Sequence, residues 1–190
     1  MALIHLNNSK HELARDRAAA FLTSYLACQG VGYAFISTHT LHILDPHWEK
    51  GDLHLLYGCT WAFIDQVAKS LISYDTRFKV VSHRLAFDDG ENEDSVRIVI
   101  DFMPMYEFGL PDRPKAIHKE VNGVFLPILH PRDLLMAKVK QMRRCAYAML
   151  SLQDNATEVF LTNTNDILDM LKWSVRHRLL LCKQRIDRCG

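Results

Sequence analysis

The stretch from Ser95 to Arg144 limits the possible folds more than any other. It opens with SVRIVIDFMP, an apolar run that reads as a buried strand ending in one acid, Asp101. A buried carboxylate has to be satisfied by some partner. After a connector comes LHPRDLLMAKVKQMRR, which reads as a helix opening on Pro131, where a missing N–H costs little, and carrying Lys138 and Lys140. A strand that delivers a carboxylate and a helix that delivers a cation are the layout of a phosphate-handling site. Upstream, GDLHLL (51–56) is a short strand with Asp52 and, two residues later, His54. Residues two apart on a strand point to one face. If the two strands are neighbours, Asp52, His54 and Asp101 share a cleft.

The rest of the chain alternates helical and extended patterns. Ser9 with Glu12 fits a capping box, and Leu13, Ala14, Ala18, Phe21, Leu22, Tyr25 and Leu26 form one apolar stripe, so a helix is expected from Ser9 to Cys28. Residues 33–36 form a short strand, Ser37–Thr38 a polar break, and Thr38–Leu44 a short helix. Thr60 is a candidate cap for a helix from Trp61 to Ser73, and Phe78–Phe87 has the composition of one strand. The acids of DDGENEDS (88–95) read as a solvated turn. Asn122-Gly123 marks a two-residue hairpin between 116–121 and 124–128. A further helix is expected from Asp166 to about Arg178, with Asp166 as an acid favoured at its N-terminus, and residues 179–188 either continue it or form a final short helix. The basic tail from Lys172 to Arg188, with Trp173 in it, reads as an amphipathic helix whose cations face water.

Composition narrows the class further. The chain has 190 residues, of which 48% are hydrophobic, enough for one domain with a core or a domain with a helical extension. The expected division is an α/β core over 1–129 and a helical extension over 130–190 in the same compact unit. A net charge of +1 carries no global signal for nucleic acid. The five Cys are odd in number and lack C-x-x-C spacing, which excludes a disulfide framework or zinc knuckle and suits reduced thiols in the cytoplasm. Cys59 precedes a helix start, where a thiolate is favoured. The N-terminus turns polar after six residues and has no signal core. No apolar run approaches the roughly 18 residues of a membrane span.

Five segments, taken in order, carry a family likeness: YAFIST-HTLHIL (33–44), GDLHLLY (51–57), VRIVIDFMP (96–104), HPRDLLMAKVKQMRR (130–144) and TNTNDILDMLKWS (162–174). The chain resembles the nucleotidyltransferase (polymerase-β-like) superfamily, and in it the small stand-alone members related to abortive-infection and toxin nucleotidyltransferases. In that family a strand leads through a Gly-Gly or Gly-Ser turn into a short helix. A strand bearing Asp-x-Asp or Asp-x-Glu follows, then a strand with a third acid, then a helix with a lysine.

The resemblance implies a mixed β-sheet of nucleotidyltransferase-like architecture flanked by helices, an α/β (α+β) fold with a C-terminal helical bundle. It implies transfer of a nucleotidyl group from a nucleoside triphosphate to a hydroxyl of RNA, protein or a small molecule. Asp52 and Asp101 would hold Mg²⁺, with His54 as auxiliary ligand or base. Ser37 and Thr38 would touch the triphosphate, and Lys138 would neutralise it. Three positions depart from the pattern: Ser37 and Thr38 replace small glycines, and His54 replaces the second acid of the pair. Two other readings therefore stand beside transfer. One is a catalytically inactive binding module; the other is a different reaction with His54 as general base.

Overall fold

The computed structural model describes residues 2–36, 38–45, 53–82, 84–90, 95–150 and 156–176. The chain divides into two compact units, residues 1–130 and 131–190. In the first unit the order is α1 (Ala2–Ala27), β1 (Tyr33–Ile36), α2 (Thr38–Leu44), β2 (Leu53–Tyr57), α3 (Trp61–Tyr74), β3 (Phe78–Val81), β4 (Arg84–Asp89), β5 (Val96–Pro104), a 3₁₀ turn (Met105–Phe108), β6 (Ala116–Val121) and β7 (Val124–Leu129). The second unit holds α4 (Pro131–Leu150) and α5 (Ala156–Arg176), which pack on each other.

The seven strands form one sheet in the order β3-β4-β5-β2-β1-β7-β6. Pairs β2–β5 and β1–β7 are parallel and the others antiparallel, so the sheet is mixed. Alternation along the strands sorts their residues onto two faces. One face carries Phe35, Leu53, Leu55, Tyr57, Leu85, Phe87, Ile98, Ile100 and Phe102, and α1 and α3 pack onto it. Ala14, Ala18, Leu22 and Leu26 on α1, with Ile64, Val67 and Leu71 on α3, complete this core. Burying each large aliphatic side chain contributes roughly 1.5–3 kcal/mol. The opposite face carries His54, Arg84, Ala86, Asp88, Arg97, Val99 and Asp101.

Several local expectations are met and several are corrected. The hairpin at Asn122-Gly123 has both residues at positive φ, 50° and 80°, the pair that a type I′ turn needs. Thr60 holds the extended backbone of an N-cap, but its side chain makes no cap hydrogen bond. Helix α1 begins at Ala2, so Ser9 and Glu12 lie within the helix and do not start it. The expected single strand over 78–87 is two strands: β3 turns at Ser82, with φ at 49°, and returns as β4. No Gly, Pro or Asn announces that turn. Gly32 and Gly58, at the open ends of β1 and β2, both lie against the backbone carbonyl of Asp112, and a Cβ at either would overlap it. These glycines let the loop before β6 close on the sheet.

Candidate functional site

The site grows from the parallel pairing of β2 with β5. Their register sets Leu53 beside Ile100 and His54 beside Asp101. Leu53 and Ile100 face the helices and are buried, so strand alternation turns His54 and Asp101 to the opposite face. There His54 Nε2 lies 3.4 Å from Asp101 Oδ2. The strand on the other side of β5 adds a residue that sequence reasoning missed. Leu85 of β4 is opposite Ile100, which brings Arg84 opposite Asp101. Arg84 Nε donates to Asp101 Oδ1 at 2.8 Å, and Nη2 donates to Oδ2. Both carboxylate oxygens are thus gripped by one guanidinium, the bidentate geometry that makes arginine–carboxylate pairs directional.

Arg84, Asp101 and His54 form a row across three adjacent strands. Their side chains are 46%, 29% and 31% exposed, so the row is open to a ligand from solvent. The signal for Arg84 was in the sequence, but hidden. With 78–87 read as one strand, nothing placed Arg84 across from β5; with the turn at Ser82, strand parity does.

The other predicted residues are placed as follows. Asp52 and Ser37 lie outside the described residues. Thr38 is the first residue of α2. Lys138 belongs to the second unit, on α4, and is 7% exposed. Its ammonium donates to Asp166 Oδ2 at 2.6 Å, joining α4 to α5. Asp166 therefore lies inside a helix that starts at Ala156 and serves as the counter-ion of Lys138, not as an N-terminal acid.

Two of the acids read as a solvated turn are corrected, while Glu91, Glu93 and Asp94 lie outside the described residues. Asp88 and Asp89 belong to β4, and Asp88 is 5% exposed. Arg97 donates to Asp88 Oδ1 at 2.8 Å and Lys79 to Oδ2 at 3.1 Å. The Arg97 hydrogen bond first, and then that of Lys79, hold the Asp88 carboxyl below its ordinary range against the opposing effect of burial. Asp89 accepts a hydrogen bond from Arg17 at 2.9 Å. Cys59 is the reverse of an activated thiol: burial pushes it up to about 11.

The chemistry of the row bears on Mg²⁺. That ion takes near-octahedral oxygen ligands. The row offers one carboxylate, with both oxygens in the fork of Arg84, and beside it an imidazole nitrogen. Among the described residues no group of three His, Cys, Asp or Glu side chains is placed to hold a metal ion. The described residues of the row do not by themselves make a Mg²⁺ site. Among the described residues no helix is long and apolar enough to cross a membrane.

No family model matches the sequence, and no curated protein does. Among solved structures, the chain is similar to the crystal structure of an antigenic nucleotidyltransferase-like protein from Paracoccidioides brasiliensis. The TM-score is 0.57 at 16% identity, over 84% of this chain and 76% of that one. At that identity the likeness is one of architecture: the chain has a nucleotidyltransferase-like fold, with a seven-stranded mixed sheet flanked by helices.

Proposed function

We propose that this protein binds a nucleoside triphosphate on the sheet face that carries His54 and Asp101, and that it does so without running two-metal nucleotidyl transfer. The fold likeness suggests the ligand class. The observation that carries the second half is the fork of Arg84 on Asp101. Two-metal transfer needs carboxylate oxygens that bridge or face cations bound to phosphate. Here the acid that the family resemblance assigns to that task already holds a guanidinium, and the residue beside it is His54, which lacks bridging oxygens.

The test has two arms. Added triphosphate raises the thermal midpoint of the full chain, by an amount equivalent to about 2.7 kcal/mol at a hundred times Kd. Labelled triphosphate is not incorporated into RNA, protein or small-molecule hydroxyls. Incorporation by the wild type that disappears in Asp52→Ala and Asp101→Ala would overturn this reading.

That outcome is the second reading, and one observation favours it. His54 and Asp101 stand in direct register 3.4 Å apart, so the second position of the strand motif and the third acid do converge. Asp52 and Asp101 would then hold Mg²⁺, which supplies charge stabilisation on the phosphates, and His54 would act as auxiliary ligand or base.

A further inference from the structure

We propose that the Arg84 guanidinium takes the place of a divalent cation against Asp101, so that triphosphate binding to this row is independent of metal. The inference rests on the nucleotide-binding reading above and adds the residue and the chemistry that accomplish it.

Charge makes the exchange coherent. A divalent cation between two carboxylates is a neutral unit. A guanidinium on one carboxylate, with an imidazole in its uncharged form where the second carboxylate would be, has the same net charge. The loss of an acid at position 54 and the arrival of a cation at position 84 each add one positive charge, and together they make up the two that a divalent cation would bring. A bare carboxylate in this row would repel phosphate oxygens, but Asp101 has both oxygens engaged by Nε and Nη2 of Arg84.

Geometry supports the same exchange. The fork fixes the plane of the guanidinium and so orients it before any ligand arrives. Arginine presents donors in a rigid fork that matches phosphate oxygens and is less strongly hydrated than an ammonium. At 46% exposure the Arg84 side chain is more open to solvent than Asp101, at 29%, so the cation is the more accessible of the two. On the far side of Asp101, His54 stands in register with it, with Nε2 3.4 Å from Asp101 Oδ2. Asp101 is a positioning residue in this scheme, and Arg84 is the group that touches phosphate.

The experiment is calorimetry on the full chain with ATP, GTP, CTP and UTP in turn, once in EDTA and once in Mg²⁺. The expected result is a Kd that agrees within about twofold between the two buffers, well under the tenfold that corresponds to 1.4 kcal/mol. Arg84→Gln should weaken binding by about tenfold or more in both buffers, as expected for loss of a charged hydrogen-bonding partner. Arg84→Lys keeps the charge without the fork and should fall between the two. Thermal melts of both variants establish that they are folded, and the comparison of buffers in the wild type stands whether or not they are. Binding that requires Mg²⁺, or that Arg84→Gln leaves unchanged or strengthens, overturns the exchange while leaving nucleotide binding in place. Failure of all four triphosphates to bind in either buffer removes the nucleotide-binding reading, and this inference with it.

Discussion

Asp88 and Asp101 lie on the same face of the same two strands, and each meets an arginine across the β4–β5 pair. The rungs are reversed: Asp88 on β4 faces Arg97 on β5, and Arg84 on β4 faces Asp101 on β5. Ala86 and Val99 separate them, so the two acids stand roughly 13 Å apart along the strands. Their surroundings differ. Asp88 is 5% exposed, has a second cation in Lys79, and titrates below its ordinary range. Asp101 is 29% exposed and has an imidazole as its other neighbour. One rung closes the sheet; the other keeps a paired but reachable carboxylate. Pairing with an arginine alone thus does not make the two acids alike; exposure and the second partner distinguish them.

The comparison has a third and more extreme member in the second unit, where Lys138 and Asp166 are both nearly buried. Asp166→Ala should have the largest effect of the three. It leaves the Lys138 ammonium without its partner at 7% exposure, a situation that costs about 3–5 kcal/mol. Urea unfolding read through the buried Trp173 measures it. Replacing both partners, Lys138→Met with Asp166→Leu, should recover most of the loss, because no charge is then left in the interior. A single replacement as mild as the double one would mean that the pair is not the buried contact seen between α4 and α5.

Asp88→Asn comes next. The Asn retains shape and loses the charge that two cations share, so the loss should be about 1.5–3 kcal/mol, the range of hydrogen bonds to charged groups. The pH dependence has a definite sign. The folded carboxyl titrates below its ordinary value of 3.8, so its contribution is present above that value and is lost as pH falls through the lowered one. The acid limb of a stability–pH curve should therefore be shallower in Asp88→Asn than in the wild type. Equal acid limbs would mean that Arg97 and Lys79 do not hold the Asp88 carboxyl as described, and would dissolve the contrast between the rungs.

The same contrast explains what could be read from the sequence. Signals contained within a few residues survived: Asn122-Gly123 turned the chain as its backbone preference demands, and Pro131 opened a helix that ends at Leu150. The strands bearing His54 and Asp101 were legible, and alternation put both on one face once the strands became neighbours. Signals that depend on a distant partner were not legible. Asp88 looked like a turn acid because its cations, Lys79 and Arg97, are nine residues away on either side. Asp166 looked like a helix-start acid because Lys138 is 28 residues away. Arg84 was missed because the turn at Ser82 takes a positive φ at a residue that seldom adopts one. Charge pairing across strands became readable only after the strand boundaries were known, and the boundaries themselves were the weak link.

The smallest expected effect belongs to the site rung. Arg84 and Asp101 are open enough to solvent that their attraction is screened, and exposed pairs couple by about 0.2–1 kcal/mol. A double-mutant cycle with Arg84→Gln, Asp101→Asn and both together isolates that coupling by urea unfolding. A value under about 1 kcal/mol fits a carboxylate whose partner is held for a ligand and not for the fold. A value near that of Asp88 would mean that this fork also closes the sheet. Arg84 would then not be held for phosphate, because a guanidinium that stabilises the fold so strongly needs no ligand to account for its place.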